Sequence, residues 1–279
     1  MSADGYWVET FGGIRSAVMA GQVHLERDGS VATIILDHPE RRNAISRDMW
    51  QGMLDAANAI AEDPSVRVAI IRGAGEVAFA SGADISQFTE QRADGDANTA
   101  YDNTTAQATA ALTKLRVPLI AAIHGFCIGG GLAVALTADL RVSADDGQFA
   151  IPAARLGLGY GHAGIKGLMK LVGPSEAKHI LFTAKRFDAD QALRMGLLSD
   201  VVAKSDLDAA VDDLASTIAA NAPLTVAAVK IAVSELVRDP GDRELEKADA
   251  AVRRCFDSAD YKEGVAAFME KRTANFTGE

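Results

Sequence analysis

The chain has 279 residues, nearly half of them apolar, so it can bury a sizeable core in one large domain or two small ones. Its formal charge of -10 and pI near 5.0 exclude nucleic acid and anionic membranes as main partners, because either would require a basic face. No apolar run reaches the length of a membrane span, and the N-terminus lacks the pattern of a signal peptide. We therefore expect a soluble, cytoplasmic protein, with Cys127 and Cys255 as free buried thiols.

The first half of the chain predicts strands that alternate with helices. Two β-rich runs flank Asp28-Gly29 and predict a hairpin, and Ser46 is the predicted N-cap of an amphipathic helix. Residues 66–75, VRVAIIRGAG, and 118–125, PLIAAIHG, predict two buried strands that each run into glycine, with a helix between them. Because these units lie about fifty residues apart, they predict stacked β/α turns.

The second half is predicted almost entirely helical from Pro174 onward, apart from the strand-like LLSDVVA at 197–203. No proline- or serine-rich linker divides the chain, so the sequence predicts an α/β core with a helical C-terminal region. The predicted helices are SEAKHILFT, DADQALRMG, LDAAVDDLASTIAANA, TVAAVKIAVSELVRD, RELEKADAAVRRCFD and KEGVAAFMEKRTANF.

Two glycine turns follow predicted strands, at FASGADISQF (79–88) and in HGFCIGGGLAVALTADL (124–140). A glycine turn between a strand and a helix leaves backbone N–H groups without partners and allows close approach of a ligand. Two such N–H groups that converge on one carbonyl oxygen would stabilise an enolate or a tetrahedral oxyanion. The alternative is that both turns are only tight connections.

Six segments in succession resemble the enoyl-CoA hydratase/isomerase, or crotonase, superfamily, from about residue 22 to the end of the chain. This resemblance implies a spiral of ββα turns at 22–205 and a C-terminal helical trimerisation region at 206–279, after a flexible tail at 1–21. It also implies an acyl-CoA substrate, with the thioester oxygen bound by the N–H groups of Ala83 and Gly130, and a homotrimer or hexamer. The segments are HPERRNAIS, FASGADI, AAIHGFCIGGGLAVALTADLRV, FAIPAARLGL, AKHILFTAKRFDADQALRMGLLSDVV and FMEKRTANF.

The sequence departs from the family at its two proton-handling positions. The hydratases carry glutamates there, whereas this chain has Ala133 and Ala153. A methyl group transfers no proton, and general acid–base catalysis typically contributes about 10²- to 10⁴-fold. We therefore expect the oxyanion hole to be retained and efficient hydration of an enoyl-CoA to be lost.

Other residues near the thioester must then supply the chemistry. Tyr160 and His162 lie in LGLGYGHAG (156–164), and a methylmalonyl-CoA decarboxylase of this superfamily carries a tyrosine in a similar setting, so Tyr160 is our candidate for protonating carbon. His162 and Asp84 are assigned to the substrate-binding surface, although all three side chains also fit purely structural roles. Tyr101 and Asp102 are weaker candidates on the helix over the acyl pocket.

The glycine spacing at 159–164 formally matches GxGxxG, but it does not follow the first strand of a βαβ unit, so we reject dinucleotide binding. We expect no cofactor other than the coenzyme A of the substrate. The resemblance implies that CoA contacts Arg41, Arg42, the backbone at Ser81, Lys271 and Arg272. Three functions remain open: a CoA-dependent lyase or isomerase, including a decarboxylase; a thioester or β-diketone hydrolase; and an acyl-CoA-binding protein without turnover.

Overall fold

A computed structural model describes residues 21–84 and 95–279, without the side chains of 95–102 and Ala163. Residues 1–20 of the predicted tail lie outside the described residues, whereas Gly21 is buried against Met49 and His38. The strands are β1 (Gln22–Asp28), β2 (Val31–Asp37), β3 (Val68–Gly73), β4 (Ala78–Ala80), β5 (Leu119–Ile123), β6 (Phe126–Ile128), β7 (Leu140–Ala144), β8 (Gln148–Ala150), β9 (Phe187–Asp188) and β10 (Asp200–Val202). The helices are α1 (Arg47–Glu62), α2 (Gly95–Thr113), α3 (Gly130–Ala135), α4 (His162–Thr183), α5 (Ala189–Arg194), α6 (Leu207–Ala220), α7 (Pro223–Leu236), α8 (Leu245–Asp257) and α9 (Ala259–Glu270).

Two sheets form the α/β core. The larger sheet has the order β1-β2-β3-β5-β7-β10, in which the predicted hairpin β1–β2 is antiparallel and the other neighbours are parallel. The smaller sheet has the order β4-β6-β8-β9. Each of the pairs β3–β4, β5–β6 and β7–β8 therefore places its first strand in the large sheet and its second in the small one, and a helix follows each pair. The stacked turns that the sequence predicts are confirmed.

The core lies on both faces of the large sheet. Strand β5 is buried throughout, and its side chains alternate between two apolar clusters. Leu119, Ala121 and Ile123 contact the cluster that contains α1 and the small sheet, whereas Ile120 and Ala122 contact α6. Ser46 caps α1 as predicted, because its Oγ accepts a hydrogen bond from the N–H of Met49 at 3.2 Å.

The C-terminal region is helical from α6 to α9, but the last helix is shorter than the sequence predicts. It ends at Glu270, because Lys271 adopts a left-handed conformation with φ 55°, and the segment to Phe276 is not helical. The carboxylate of Asp260 holds the residues just after this segment by accepting hydrogen bonds from the N–H groups of Thr277 and Gly278. Among the described residues no single helix is long and apolar enough to cross a membrane. The helical segments Lys204–Ala220 and Pro223–Leu236 reach this length only together, and the chain bends by 105° between them.

Both cysteines are free thiols, as predicted. Cys127 is buried in β6, and burial raises the pKa of its thiol far above the ordinary value. Cys255 is half-buried in α8. A thiol held protonated in this way is a weak nucleophile, so Cys127 acts as a small apolar side chain of the core.

Candidate active site

The first glycine turn follows β4 and carries a backbone N–H that has no acceptor in the described part of the chain. Ile45 forms a parallel bridge with Ala83: its N–H donates to the carbonyl of Gly82 at 2.8 Å, and its carbonyl accepts from the N–H of Asp84 at 3.0 Å. Since successive residues of an extended chain direct their N–H groups to opposite sides, the N–H of Ala83 faces away from Ile45. Ile45 is not among the predicted site residues, and the sequence marks it only as an apolar residue between the loop HPERRNA and the N-cap Ser46.

The second glycine turn joins β6 to α3 and lies directly against the first. Gly129 has φ 52°, which favours glycine, and Gly130 begins the helix, where an N–H has no intrahelical acceptor. A Cβ placed on Gly130 would lie 3.3 Å from the backbone nitrogen of Ala83. No described residue accepts a hydrogen bond from the N–H of Ala83 or of Gly130. The two turns thus bring together two backbone donors that have no acceptor among the described residues.

The loop that contains Arg41 and Arg42 fastens the first turn. The carbonyl of Arg42 accepts from the N–H of Ser81 at 2.9 Å, and the carbonyl of Arg41 accepts from its hydroxyl at 3.0 Å. The Arg41 guanidinium pairs with the buried carboxylate of Asp84 at 3.0 Å. Asp84 therefore binds a side chain of this loop, next to the donor at Ala83.

The Arg42 side chain packs on an aromatic ring. Its backbone is left-handed, with φ 53°, and its guanidinium stacks on the ring of Phe126 at 4.8 Å from the centroid. Arg186 stacks on the same ring at 5.2 Å. Phe126 and Arg186 were not among the predicted site residues, and no spacing in the sequence brings them to Arg42.

Alanine occupies both positions where the resemblance implies glutamate. Ala133 is half-exposed in α3, and its N–H donates to Gly129. Ala153 is buried, and its carbonyl accepts hydrogen bonds from the N–H groups of Leu156 and Leu158, both at 3.0 Å. The backbone is thus well fixed at these positions, but neither side chain can exchange a proton.

Tyr160 lies between this segment and the start of α4. The side chain packs against the main apolar cluster, and burial raises the pKa of its phenol above the ordinary value of 10.0. Its hydroxyl forms no hydrogen bond with any of the described side chains or backbone groups. His162 begins α4 and is exposed to solvent. Tyr160 is therefore a protonated phenol at neutral pH.

No hydrogen bond or ion pair among the described residues joins the remaining predicted residues to the two turns. Arg272 is occupied by carboxylates, because it donates to both oxygens of Glu263 and to Glu270. Lys271 is exposed at the end of α9. The side chains of Tyr101 and Asp102 lie outside the described residues.

The chain is similar to known proteins over most of its length. A family model described as enoyl-CoA hydratase/isomerase matches residues 26–279. Crotonyl-CoA hydratase of Syntrophomonas wolfei is 34% identical over 90% of this chain and 96% of its own length. Carnitinyl-CoA dehydratase of Proteus mirabilis is 37% identical over 93% of this chain and its own full length, 100%. The crystal structure of an enoyl-CoA hydratase/carnithine racemase from Magnetospirillum magneticum superposes with a TM-score of 0.88 at 37% identity, covering 92% of this chain and 96% of that one.

The crotonase-like α/β fold, the paired glycine turns and these relatives lead to one conclusion. The chain belongs to the enoyl-CoA hydratase/isomerase (crotonase) family, and it is an enzyme of the CoA-dependent lyase and hydratase type.

Proposed function

We propose that this enzyme binds an acyl-CoA thioester with its carbonyl oxygen on the N–H groups of Ala83 and Gly130, and that it forms the thioester enolate there. The observation that carries this proposal is the close approach of two backbone donors that lack acceptors within the described structure. Preorganised donors of this kind stabilise the negative charge that develops on the oxygen in the transition state.

Although the protein is acidic overall, arginine residues near the site support binding of a substrate that carries phosphate groups. Arg41 lies beside the first turn, fixed by Asp84, and Arg42 follows it in the same loop. Guanidinium groups suit the phosphates of coenzyme A because they donate several hydrogen bonds in a planar arrangement. Lys271 and Arg272 are the second set of phosphate contacts that we propose, and Arg272 would have to exchange Glu263 for phosphate in this role.

The side chains available for proton transfer favour a reaction that forms the enolate without a base. Ala133 and Ala153 carry no ionisable group, and Asp84 is bound to Arg41. Tyr160 is protonated at neutral pH, since burial raises its pKa, so it can donate a proton but is a poor acceptor of one. A site with an acid and no assigned base suits a reaction in which carbon–carbon cleavage generates the enolate.

Decarboxylation of a thioester that carries a carboxylate on its α carbon meets this requirement. The bond from the α carbon to the carboxylate breaks, CO₂ leaves, and the electron pair forms the enolate held by Ala83 and Gly130. Tyr160 then gives its phenolic proton to the α carbon and regains a proton from water. Hydration of a double bond needs a group that activates water, and the two alanines remove that group.

The test compares methylmalonyl-CoA, crotonyl-CoA and a saturated acyl-CoA as substrates. We expect decarboxylation of the first, and hydration of the second at least about 10²-fold slower than by a relative with both glutamates. Ala133→Glu with Ala153→Glu should raise hydration. Tyr160→Phe should lower decarboxylation by about 10²-fold at unchanged KM, whereas the control Tyr261→Phe, on α9, should not.

Each other result contradicts a defined part of the proposal. Crotonyl-CoA hydration at rates ordinary for the family would contradict the loss of hydratase chemistry. Release of free coenzyme A from the saturated thioester would indicate a hydrolase. Tight acyl-CoA binding with no turnover of any of the three would indicate a binding protein.

We also propose that the C-terminal region packs against further copies of this chain, as a homotrimer or a pair of trimers. Large apolar side chains are exposed along α7, α8 and α9, and most of them border an apolar cavity of about 690 Å³. Exposed apolar surface of this extent is unusual in a monomer and typical of an interface between subunits. The exposed side chains include Val229, Val233, Leu236, Val252, Phe256, Val265, Phe268 and Met269.

A further inference from the structure

The aromatic ring of Tyr160 lies directly over the backbone of Gly164, in the first turn of α4. A Cβ placed on Gly164 would lie 2.8 Å from Cε1 of the tyrosine, 3.3 Å from Cζ and 3.4 Å from the hydroxyl oxygen. The contact is therefore made by the phenol end of the ring. Real Cβ atoms do not approach aromatic carbons this closely, so the tyrosine occupies its place because residue 164 has no side chain.

Packing against Tyr160, and not backbone conformation, is what requires glycine at this position. The φ of Gly164 is not left-handed, so any residue could adopt its helical backbone, and glycine is less favourable than alanine within a helix. At Gly159, Gly161 and Gly167 an added Cβ would meet nothing within 4 Å. The last glycine of the spacing at 159–164 therefore has a role of its own in the contact with Tyr160.

We propose that Gly164 is a positioning residue, whose bare backbone determines where the phenolic oxygen of Tyr160 lies relative to the enolate. This inference rests on the proposed function, in which Tyr160 protonates the α carbon. Gly164 touches the tyrosine and not the substrate, so it acts only through that side chain.

The geometry predicts what a methyl group at position 164 does. The ring must move by about 1 Å to restore an ordinary carbon–carbon contact. It is the far end of a side chain with two rotatable bonds and lies on a loop, so the movement leaves the rest of the fold in place. A proton donor displaced by about 1 Å loses on the order of 10²-fold in rate.

The experiment compares Gly164→Ala with Gly167→Ala, which adds the same methyl to the same helix in open space. Using methylmalonyl-CoA, we expect Gly164→Ala to lower kcat by about 10²-fold at unchanged KM, with a Tm no lower than that of the wild type. Gly167→Ala should keep the wild-type kcat. Wild-type kcat in Gly164→Ala, or an equal loss in both variants, overturns the inference.

The double variant Tyr160→Phe with Gly164→Ala separates positioning from a general effect on the helix. We expect it to be no slower than Tyr160→Phe alone, because no hydroxyl remains to be misplaced. A further 10²-fold loss in the double variant would overturn the positioning role. If Tyr160→Phe alone leaves kcat unchanged, the proposed function fails instead, so the two failures are distinguishable.

Spectroscopic titration of the tyrosines gives a readout that does not depend on turnover. The chain has four tyrosines, and subtracting the curve of Tyr160→Phe isolates the one of interest. Burial raises the pKa of Tyr160, so a ring pushed from its place should ionise at lower pH in Gly164→Ala than in the wild type or in Gly167→Ala. An unchanged titration curve in Gly164→Ala would show that the ring has not moved, and would overturn the inference.

Discussion

The proposed oxyanion hole depends on the absence of a side chain at Gly130. A Cβ placed on Gly130 would lie 3.3 Å from the backbone nitrogen of Ala83, so the space that a side chain would fill is the approach to the other donor. Gly131 is constrained in another way, because an added Cβ there would collide with the backbone carbonyl of Ala80. At the residue scale, neighbouring glycines therefore serve different purposes: Gly130 leaves a donor accessible, and Gly131 lets helix α3 approach the end of strand β4.

Gly130→Ala should therefore block the site without unfolding the protein. Its φ is not left-handed, so the backbone accepts alanine, and the new methyl would lie 3.3 Å from the nitrogen of Ala83. We expect kcat to fall by about 10²- to 10³-fold, the usual effect of losing one oxyanion donor, while affinity for free coenzyme A stays constant. Isothermal titration and steady-state kinetics measure the two quantities. Gly131→Ala is the contrast: it should lower Tm, and turnover only as far as the folded fraction falls.

At the element scale, the pairing of β4 with β6 brings the two turns together, since each turn follows the carboxyl end of its strand.

Hydrogen bonds to a carboxylate of α9 hold the segment that follows this helix. Arg272 donates to both oxygens of Glu263, and the N–H of Asn275 donates to the same carboxylate at 2.8 Å. These hydrogen bonds, with that of Arg272 the strongest, lower the pKa of Glu263 from 4.5 to about 2.

This lowered pKa predicts a loss of stability in acid. Because the pKa of Glu263 is lower in the folded state than in the unfolded state, its contribution is fully present above about pH 4.5 and is lost as pH falls toward 2. Glu263→Gln should lower the free energy of unfolding at pH 7 and flatten its decline in that acid range, as urea titrations at several pH values would show. Glu26→Gln, at an exposed position on β1 without an ion pair among the described residues, is the control. Identical curves for the two variants would contradict the assignment.

At the scale of the whole molecule, the apolar C-terminal surface is the feature that a single chain leaves uncovered. Phe268 is 83% exposed and Met269 is 76% exposed, and both border the cavity between α7, α8 and α9. A side chain this exposed adds little to the core of its own subunit, so its apolar character is better explained by contact with another copy.

Light scattering should accordingly report a trimer or a hexamer at micromolar concentration. Phe268→Asp should shift the mass toward that of the monomer, because a carboxylate in an apolar interface must lose its hydration, while circular dichroism should stay unchanged. Lys262→Gln, at an exposed polar position of the same helix, should leave the mass as it is. A wild-type protein that remains monomeric throughout would contradict the proposed assembly.

The sequence by itself determined the local features of this protein. Asp28-Gly29 predicted the β1–β2 hairpin and Ser46 the start of α1, because turn chemistry and helix capping depend on a few adjacent residues. Predicted strands that run into glycine located the two turns. The six family-like segments indicated the fold and the residues Ala83 and Gly130. The same resemblance drew attention to Ala133 and Ala153, where the expected carboxylates are absent.

Only the tertiary structure decided which of these local features meet. The contact of Gly130 with Ala83 requires the pairing of β4 with β6. The stacking of Arg42 on Phe126 requires that the fold bring the loop of Arg42 to a strand far from it in sequence. The end of α9 at Glu270 goes with contacts of the following segment with Glu263 and Asp260, which outweigh the helical pattern of the sequence. Packing between residues distant along the chain has no periodicity that a sequence could reveal, because it depends on the shapes of surfaces that exist only once the chain has folded.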